Sequence, residues 1–192
     1  MSDKYRIILA SNSPRRKELL SGLDLDYEVK VLPDIAESYP EGLPTAEIPV
    51  YIAAEKAEAY RTLMAKDELI ITADTVVVLG DEVLGKPTDL DDARRMLREL
   101  SGQTHQVITG VCLMTRDKQR RFAVTTDVTF KELTDEEIDY YVERHKPLDK
   151  AGAYGIQEWI GYIGVTGLNG SYFNVMGLPV QRIYQELKGL LC

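Results

Sequence analysis

The sequence predicts an α/β protein built on a mixed sheet. Short apolar runs rich in β-branched residues end in turn-formers and alternate with stretches whose apolar residues recur at helical spacing. Two successive alternating runs, 104–115 and 121–133, are separated by the turn-like "RDKQR", which adds an antiparallel hairpin. At 192 residues with 44% hydrophobic content, the chain is long enough for one substantial core. A single domain over residues 1–192, with two lobes, is expected; no internal repeat or low-complexity tract divides it.

The elements follow in order. Tyr5 to Ala10 reads as a buried strand. Ser13 suits a helix N-cap and Pro14 the first helical position, with Leu19, Leu20 and Leu23 as the apolar stripe and Gly22 as the stop. Tyr27 to Leu32 alternates as a second strand, and the proline-rich, acidic stretch 33–44 is a loop. A long helix is predicted from Pro49 to Ala65, where alanines raise the intrinsic propensity. Leu69 to Leu79, "LIITADTVVVL", is the most strand-like run in the chain. After Gly80-Asp81 and Glu82-Val-Leu, a helix capped near Asp89 runs to Gly102. Beyond the hairpin, Thr134 and Glu137 stand at capping-box spacing for a helix to Arg144. The glycine-rich segment "AGAYGIQEWIGYIGVTGLNGSYFNVMGLP" resists assignment, and its glycines suggest close backbone packing or binding loops. A last helix spans Pro179 to Leu191.

Composition narrows the function. A net charge of −8 argues against a broad basic surface for nucleic acid, so an anionic ligand must be gripped by a local basic cluster, aided by a divalent cation. The two cysteines, Cys112 and Cys192, give neither a disulfide framework nor a zinc site. The N-terminal apolar run is too short for a signal-peptide core, and no stretch approaches membrane-spanning length, so a cytoplasmic protein without membrane partners is expected.

Two anomalies carry the chemistry. "LASNSPRRKELL" (9–20) puts Arg15 and Arg16 in a first helical turn, where the macrodipole favours acids. With the unpaired N–H groups of the helix start, two guanidiniums make a site suited to phosphate oxygens; the bland alternative is that both face solvent or pair with acids. Asp74 lies between "IITA" and "TVVVL", and a carboxylate there is costly unless a cation or donors sit nearby. It reads as a metal ligand or a general base, against a structural Asp at a bulge.

Other features are weaker. Gly80 to Lys86 fits G-x-x-x-x-G-K, but Pro87 replaces the magnesium-binding Ser or Thr and Asp81-Glu82 would load the cradle with negative charge, so a Walker A loop is rejected. Lys86 remains a candidate phosphate contact, with an exposed surface lysine as the alternative. His105 is a base or, more often at such a strand start, structural; Lys56 taken alone is a solvated helix-face residue. Gly110 allows close backbone approach. No Ser-His-Asp or Cys-His set and no H-x-x-x-H pair can be argued. The ligand-like residues Ser11, Arg15, Arg16, Asp74 and Lys86 lie at or just after strand ends, where open α/β sheets gather their sites, and together they suggest triphosphate chemistry with a metal.

The segments "SNSPRRKELL" (11–20), "EKA" (55–57), "ADTVV" (73–77), "GKP" (85–87), "SGQTHQVITGV" (101–111) and "DKAGAYGIQ" (149–157) closely resemble, in order, the Maf family of nucleoside triphosphate pyrophosphatases. The resemblance implies an elongated mixed-sheet fold with a cleft between two lobes, as in the ITPase-like folds, and a homodimer. It implies hydrolysis of a nucleoside triphosphate to the monophosphate and pyrophosphate with magnesium or manganese. Asp74 would be the proton acceptor and, with Glu37, would hold the metal; Ser11, Arg16, Lys56 and Lys86 would bind substrate. Arg15, Thr75 and Gln157 match the positions tied to base choice in the pyrimidine-specific branch, so dTTP and UTP are the expected substrates. The acidic loop departs from the family pattern in having Ala36 before Glu37, where relatives more often carry aspartate. The alternative reading is a nucleotide-binding regulator of cell division and septum formation with little catalysis.

Overall fold

β1 (Arg6–Leu9) is a four-residue strand whose last three side chains are buried, as its apolar run requires. The computed structural model describes residues 5–191; Cys192 lies outside the described residues. β1 pairs in parallel with β2 (Tyr27–Val29) and with β3 (Glu68–Leu79). The remaining strands are β4 (Glu82–Leu84), β5 (Thr104–Met114), β6 (Gln119–Phe130) and β7 (Val165–Asn169). The sheet runs in the order β2-β1-β3-β5-β6-β7, with β4 paired antiparallel to the end of β3 and β7 antiparallel to β6. A mixed α/β sheet is therefore what the sequence folds into.

The chain forms two compact units. The first comprises the residues up to Asp74, Thr109–Val124 and the segment from Gly177 onward; the second comprises Thr75–Ile108 and Thr125–Met176. In the first unit lie α1 (Pro14–Ser21), α2 (Ile48–Glu58) and the C-terminal helix α7 (Val180–Leu191), and its core is built on Ile8, Ala53, Tyr60, Ile70 and Met114. Cys112 is buried in that core, and burial pushes its thiol up to about 11. In the second unit, α3 (Leu90–Leu100), α4 (Asp135–His145), α5 (Trp159–Gly164) and α6 (Tyr172–Met176) surround a core that includes Val77, Leu97, Phe130, Tyr141 and Ile160.

The local signals that the sequence carries are used. Ser13 Oγ accepts from the Arg16 amide at 3.4 Å, and Pro14 opens α1. Asp89 accepts from the Asp92 amide at 2.8 Å, and both bonds of the Thr134/Glu137 capping box are made. The helix expected over 49–65 ends early, at Glu58. Bonds of the i to i+3 kind, from the Tyr60, Arg61 and Leu63 amides, tighten the chain there. The cause is tertiary: the Tyr60 hydroxyl donates to the Lys30 carbonyl at 2.9 Å and accepts from the Leu32 amide at 3.0 Å, so those two groups bond just past the end of α2, while the Lys30 amide still donates to the Leu9 carbonyl at 3.2 Å.

Gly110 makes the close approach that its place in a strand suggested. A Cβ there would stand 2.2 Å from both Pro49 C and Val50 N, so the start of α2 lies directly on β5. Thr72 Oγ1 donates to the Ala53 carbonyl at 2.6 Å and ties the same helix to β3. Together these contacts fix the helix that carries Lys56. The glycine-rich segment resolves into a 3-10 turn at Ala151–Ala153, α5, β7 and α6, each too short for a periodic pattern to show.

Candidate functional site

The first unit assembles a charged cluster around β3. Lys56 is turned inward from α2, its side chain 14% exposed, and its ammonium donates to Asp74 Oδ1 at 2.9 Å and meets Glu37 Oε1 at 2.7 Å. Lys56 is thus no solvated face residue. It supplies the cation that a carboxylate set among apolar strand residues needs, since an uncompensated charge there would be costly. Glu37 comes from the acidic loop and is half exposed, so its arm of the pair is the weaker one.

Arg16 acts on the same strand from α1. Its Nε donates to the Gly177 carbonyl and its Nη1 to the Ala73 carbonyl, both at 2.8 Å. One guanidinium therefore fixes the peptide immediately before Asp74 and the turn that leads into α7. Burial pushes the Arg16 pKa down; the charges of Asp74 and Glu37 oppose that shift and Arg15 adds to it. Arginine keeps its proton under such conditions, so Arg16 remains a fixed positive charge. Ser11, buried, accepts from the Ser13 amide at 3.2 Å in the connection that presents both arginines. No acid stands in the first turn of α1.

Ser11, Arg15, Arg16, Glu37, Lys56 and Asp74 all lie in the first unit, whereas Thr75, Lys86 and Gln157 lie in the second. Lys86 is exposed, on the turn between β4 and α3. That turn is tied to the glycine-rich segment by the Gly152 amide, which donates to the Gly85 carbonyl at 3.1 Å. Thr75 is half-buried on β3. Gln157 is half-buried too, and its Oε1 is buried without a hydrogen-bond partner. A buried acceptor left unpaired is rare in folded proteins and expensive. Four residues earlier in the chain the backbone stores strain, since Ala153 sits at φ 60° without being glycine.

His105 is no candidate base. It is buried, its Nε2 is 2.7 Å from the Tyr154 hydroxyl, and the rings of Phe130 and Tyr154 meet it edge-on. Burial lowers its pKa to about 4. A further set, unmarked by any motif or periodicity, is Tyr141, Lys150 and Glu158. The buried Tyr141 hydroxyl donates to Glu158 Oε2 and accepts from the Gly155 amide, while Lys150 Nζ reaches Glu158 Oε1 at 3.1 Å. Lys150 is buried, which the polar "DKAG" stretch hides from any hydropathy argument.

The donor set for a metal is small and hard. Asp74 and Glu37 offer carboxylate oxygens that converge on one ammonium, and no group of three or more His, Cys, Asp or Glu able to hold a metal occurs among the described residues. Two carboxylates without nitrogen or sulfur partners suit magnesium or manganese, which complete their shells with water and phosphate oxygens.

Comparisons with known proteins place the chain among its relatives. The chain is 69% identical over 188 residues to a dTTP/UTP pyrophosphatase of Phocaeicola vulgatus, covering 98% of this chain and 97% of that one. It is 63% identical to a dTTP/UTP pyrophosphatase of Parabacteroides distasonis, covering 96% of each. Among solved structures, the Ham1 protein of Staphylococcus aureus shares the fold, with a TM-score of 0.57 at 17% identity over 96% of this chain and 99% of that one. The profile of a family described as Maf-like protein matches residues 6–190. That span takes in both units and every residue of the site, and the chain belongs to the Maf family.

Proposed function

We propose that the chain is a nucleoside triphosphate pyrophosphatase, one functional domain across both units, that converts dTTP and UTP to the nucleoside monophosphate and pyrophosphate. The relatives at 69% and 63% identity carry that name. The observation that carries the chemistry is the convergence of Asp74 and Glu37 on Lys56, with Arg16 bonded to the residue before Asp74.

In this reading water attacks the α-phosphorus. A water oxygen bonds to that phosphorus, the bond from it to the bridging oxygen breaks, and pyrophosphate leaves with the bonding pair. Asp74 takes the proton from the water as general base. Lys56 and Arg16 hold fixed positive charge where negative charge builds on the phosphates, and Lys86 adds a third cation. Asp74 and Glu37 would hold the divalent cation, which supplies charge neutralisation to the triphosphate when bound. Arg15, Thr75 and Gln157 select the base; the unpaired Gln157 oxygen suits a ring N–H of uracil or thymine. A homodimer in the cytoplasm completes the reading, and sedimentation at working concentration measures the first part of it. Among the described residues no helix is long and apolar enough to cross a membrane.

Product analysis with magnesium or manganese tests the function. Monophosphate and pyrophosphate are expected. Tight binding without product would favour the regulatory reading, and diphosphate with orthophosphate would overturn both. Asp74→Asn is expected to lower turnover by about 10²–10⁴-fold with the fold intact, and a variant as fast as the parent would remove Asp74 from the base role. Chelation of the metal is expected to stop turnover and its return to restore it.

A further inference from the structure

Gln157 is the third residue of a tight four-residue turn, because the Glu158 amide donates back to the Gly155 carbonyl at 3.0 Å. Both ends of that turn are held by one atom. The Tyr141 hydroxyl accepts from the Gly155 amide at 3.1 Å and donates to the Glu158 carboxylate. Lys150 grips the other oxygen of that carboxylate at 3.1 Å. The packing around the turn leaves no slack: a Cβ on Gly155 would stand 3.0 Å from Glu158 Cδ and 3.1 Å from Lys150 Cε. On the far side, a Cβ on Gly161 would fall 1.8 Å from the Ile156 carbonyl oxygen, so α5 presses on the turn's second residue.

Tyr141 itself is fully buried on α4, and its hydroxyl makes the two bonds of this clamp. A phenylalanine would fill the same volume and contribute the same apolar contacts. The hydroxyl adds two directional bonds, and both go to the residues that flank Ile156 and Gln157. We propose that Tyr141 is a positioning residue for base recognition: its hydroxyl fixes the Gly155–Glu158 turn and thereby holds the Gln157 carbonyl oxygen where it accepts from the ring N–H of a pyrimidine base. The inference rests on the proposed role of Gln157 in choosing uracil and thymine nucleotides.

A cycle of Tyr141→Phe, Gln157→Ala and the double variant tests it, with kcat/KM measured for dTTP, UTP and dATP and melting temperature read alongside. Tyr141→Phe is expected to lower the dTTP-over-dATP ratio by about tenfold, chiefly through KM for dTTP, and Gln157→Ala to lower it at least as much. In the Gln157→Ala background, Tyr141→Phe should leave the ratio unchanged. A merely structural hydroxyl would lower the melting temperature and slow all substrates alike without moving the ratio, and that result overturns the proposal. So does an undiminished effect of Tyr141→Phe on the ratio in the double variant. A silent Gln157→Ala would instead overturn the Gln157 reading on which the proposal stands, and the proposal with it. If Tyr141→Phe fails to fold, Glu158→Gln, which loosens the clamp from its other end and keeps an acceptor for Tyr141, is read in the same cycle against the same outcomes.

Discussion

Lowering the pH from 7 to 4 is expected to destabilise the protein through one buried histidine. The His105 imidazole is 1% exposed, boxed by the rings of Phe130 and Tyr154 with centroids 5.3 and 5.4 Å away. Its Nε2 pairs with the Tyr154 hydroxyl, while its Nδ1 has no hydrogen-bond partner. Protonation would make both nitrogens donors, leaving a charge and an unmet N–H in an apolar pocket. Burial accordingly lowers the pKa from 6.5 to about 4. Between those values the unfolded chain takes up a proton that the folded chain refuses, so stability is full above pH 6.5 and falls as the pH drops toward 4. A gap of about 2.5, at about 1.4 kcal/mol for each, amounts to about 3 kcal/mol. Urea unfolding of the parent and of His105→Gln at pH 7, 6, 5 and 4 measures it. The difference between them isolates His105, since His145 and all carboxylates are common to both. The parent should lose about 3 kcal/mol more than the variant over that range. Parallel stability curves would refute the reasoning.

Three further outcomes follow from single contacts. Gly110→Ala would set a methyl 2.2 Å from the α2 backbone, so the helix must shift and carry Lys56 with it; about 1–3 kcal/mol of stability and most turnover should be lost, measured by melting and dTTP hydrolysis. Arg16→Lys keeps the charge but not the planar fork that reaches the Ala73 and Gly177 carbonyls, and kcat should fall about tenfold or more; full activity would make the charge alone sufficient. Gln157→Ala removes a buried acceptor that has no partner, so its melting temperature should equal or exceed the parent's even as base selectivity falls.

What was legible in the sequence was local. Ser13, Asp89 and the Thr134/Glu137 pair cap helices through bonds that span three residues, and a short window contains the whole interaction. β1 and β3 were legible because burial of consecutive β-branched residues leaves an apolar run. Asp74 stood out for the same reason, as a charge in the wrong place. Lys56 did not, because nothing in a helical repeat tells an inward lysine from an outward one until the carboxylate it meets is known. The end of α2 was hidden in the same way: the Tyr60 hydroxyl stops it by bonding to residues near position 31. Gly110 on β5 and Gly161 in the glycine-rich segment mark where backbones touch, but composition alone does not say which backbones.

The charge balance of the first unit bears on the proposed metal. Arg16 feels Arg15, Asp74 and Glu37 directly, and Lys56 bridges the two carboxylates. Three cations against two anions leave little surplus, in a chain whose net charge is −8. Such a site is stable without substrate, since each buried charge has a partner, but it is poorly matched to the several negative charges of a triphosphate. Mutual pairing of Lys56 with Asp74 and Glu37 also keeps the ammonium from serving the phosphates at full strength. Asp74 and Glu37 would hold a divalent cation, whose charge would neutralise both carboxylates, and Lys56 would then be available to phosphate oxygens. The proposed reaction therefore calls for the metal on electrostatic grounds, and Lys56→Gln should weaken nucleotide binding more with the metal present than without it.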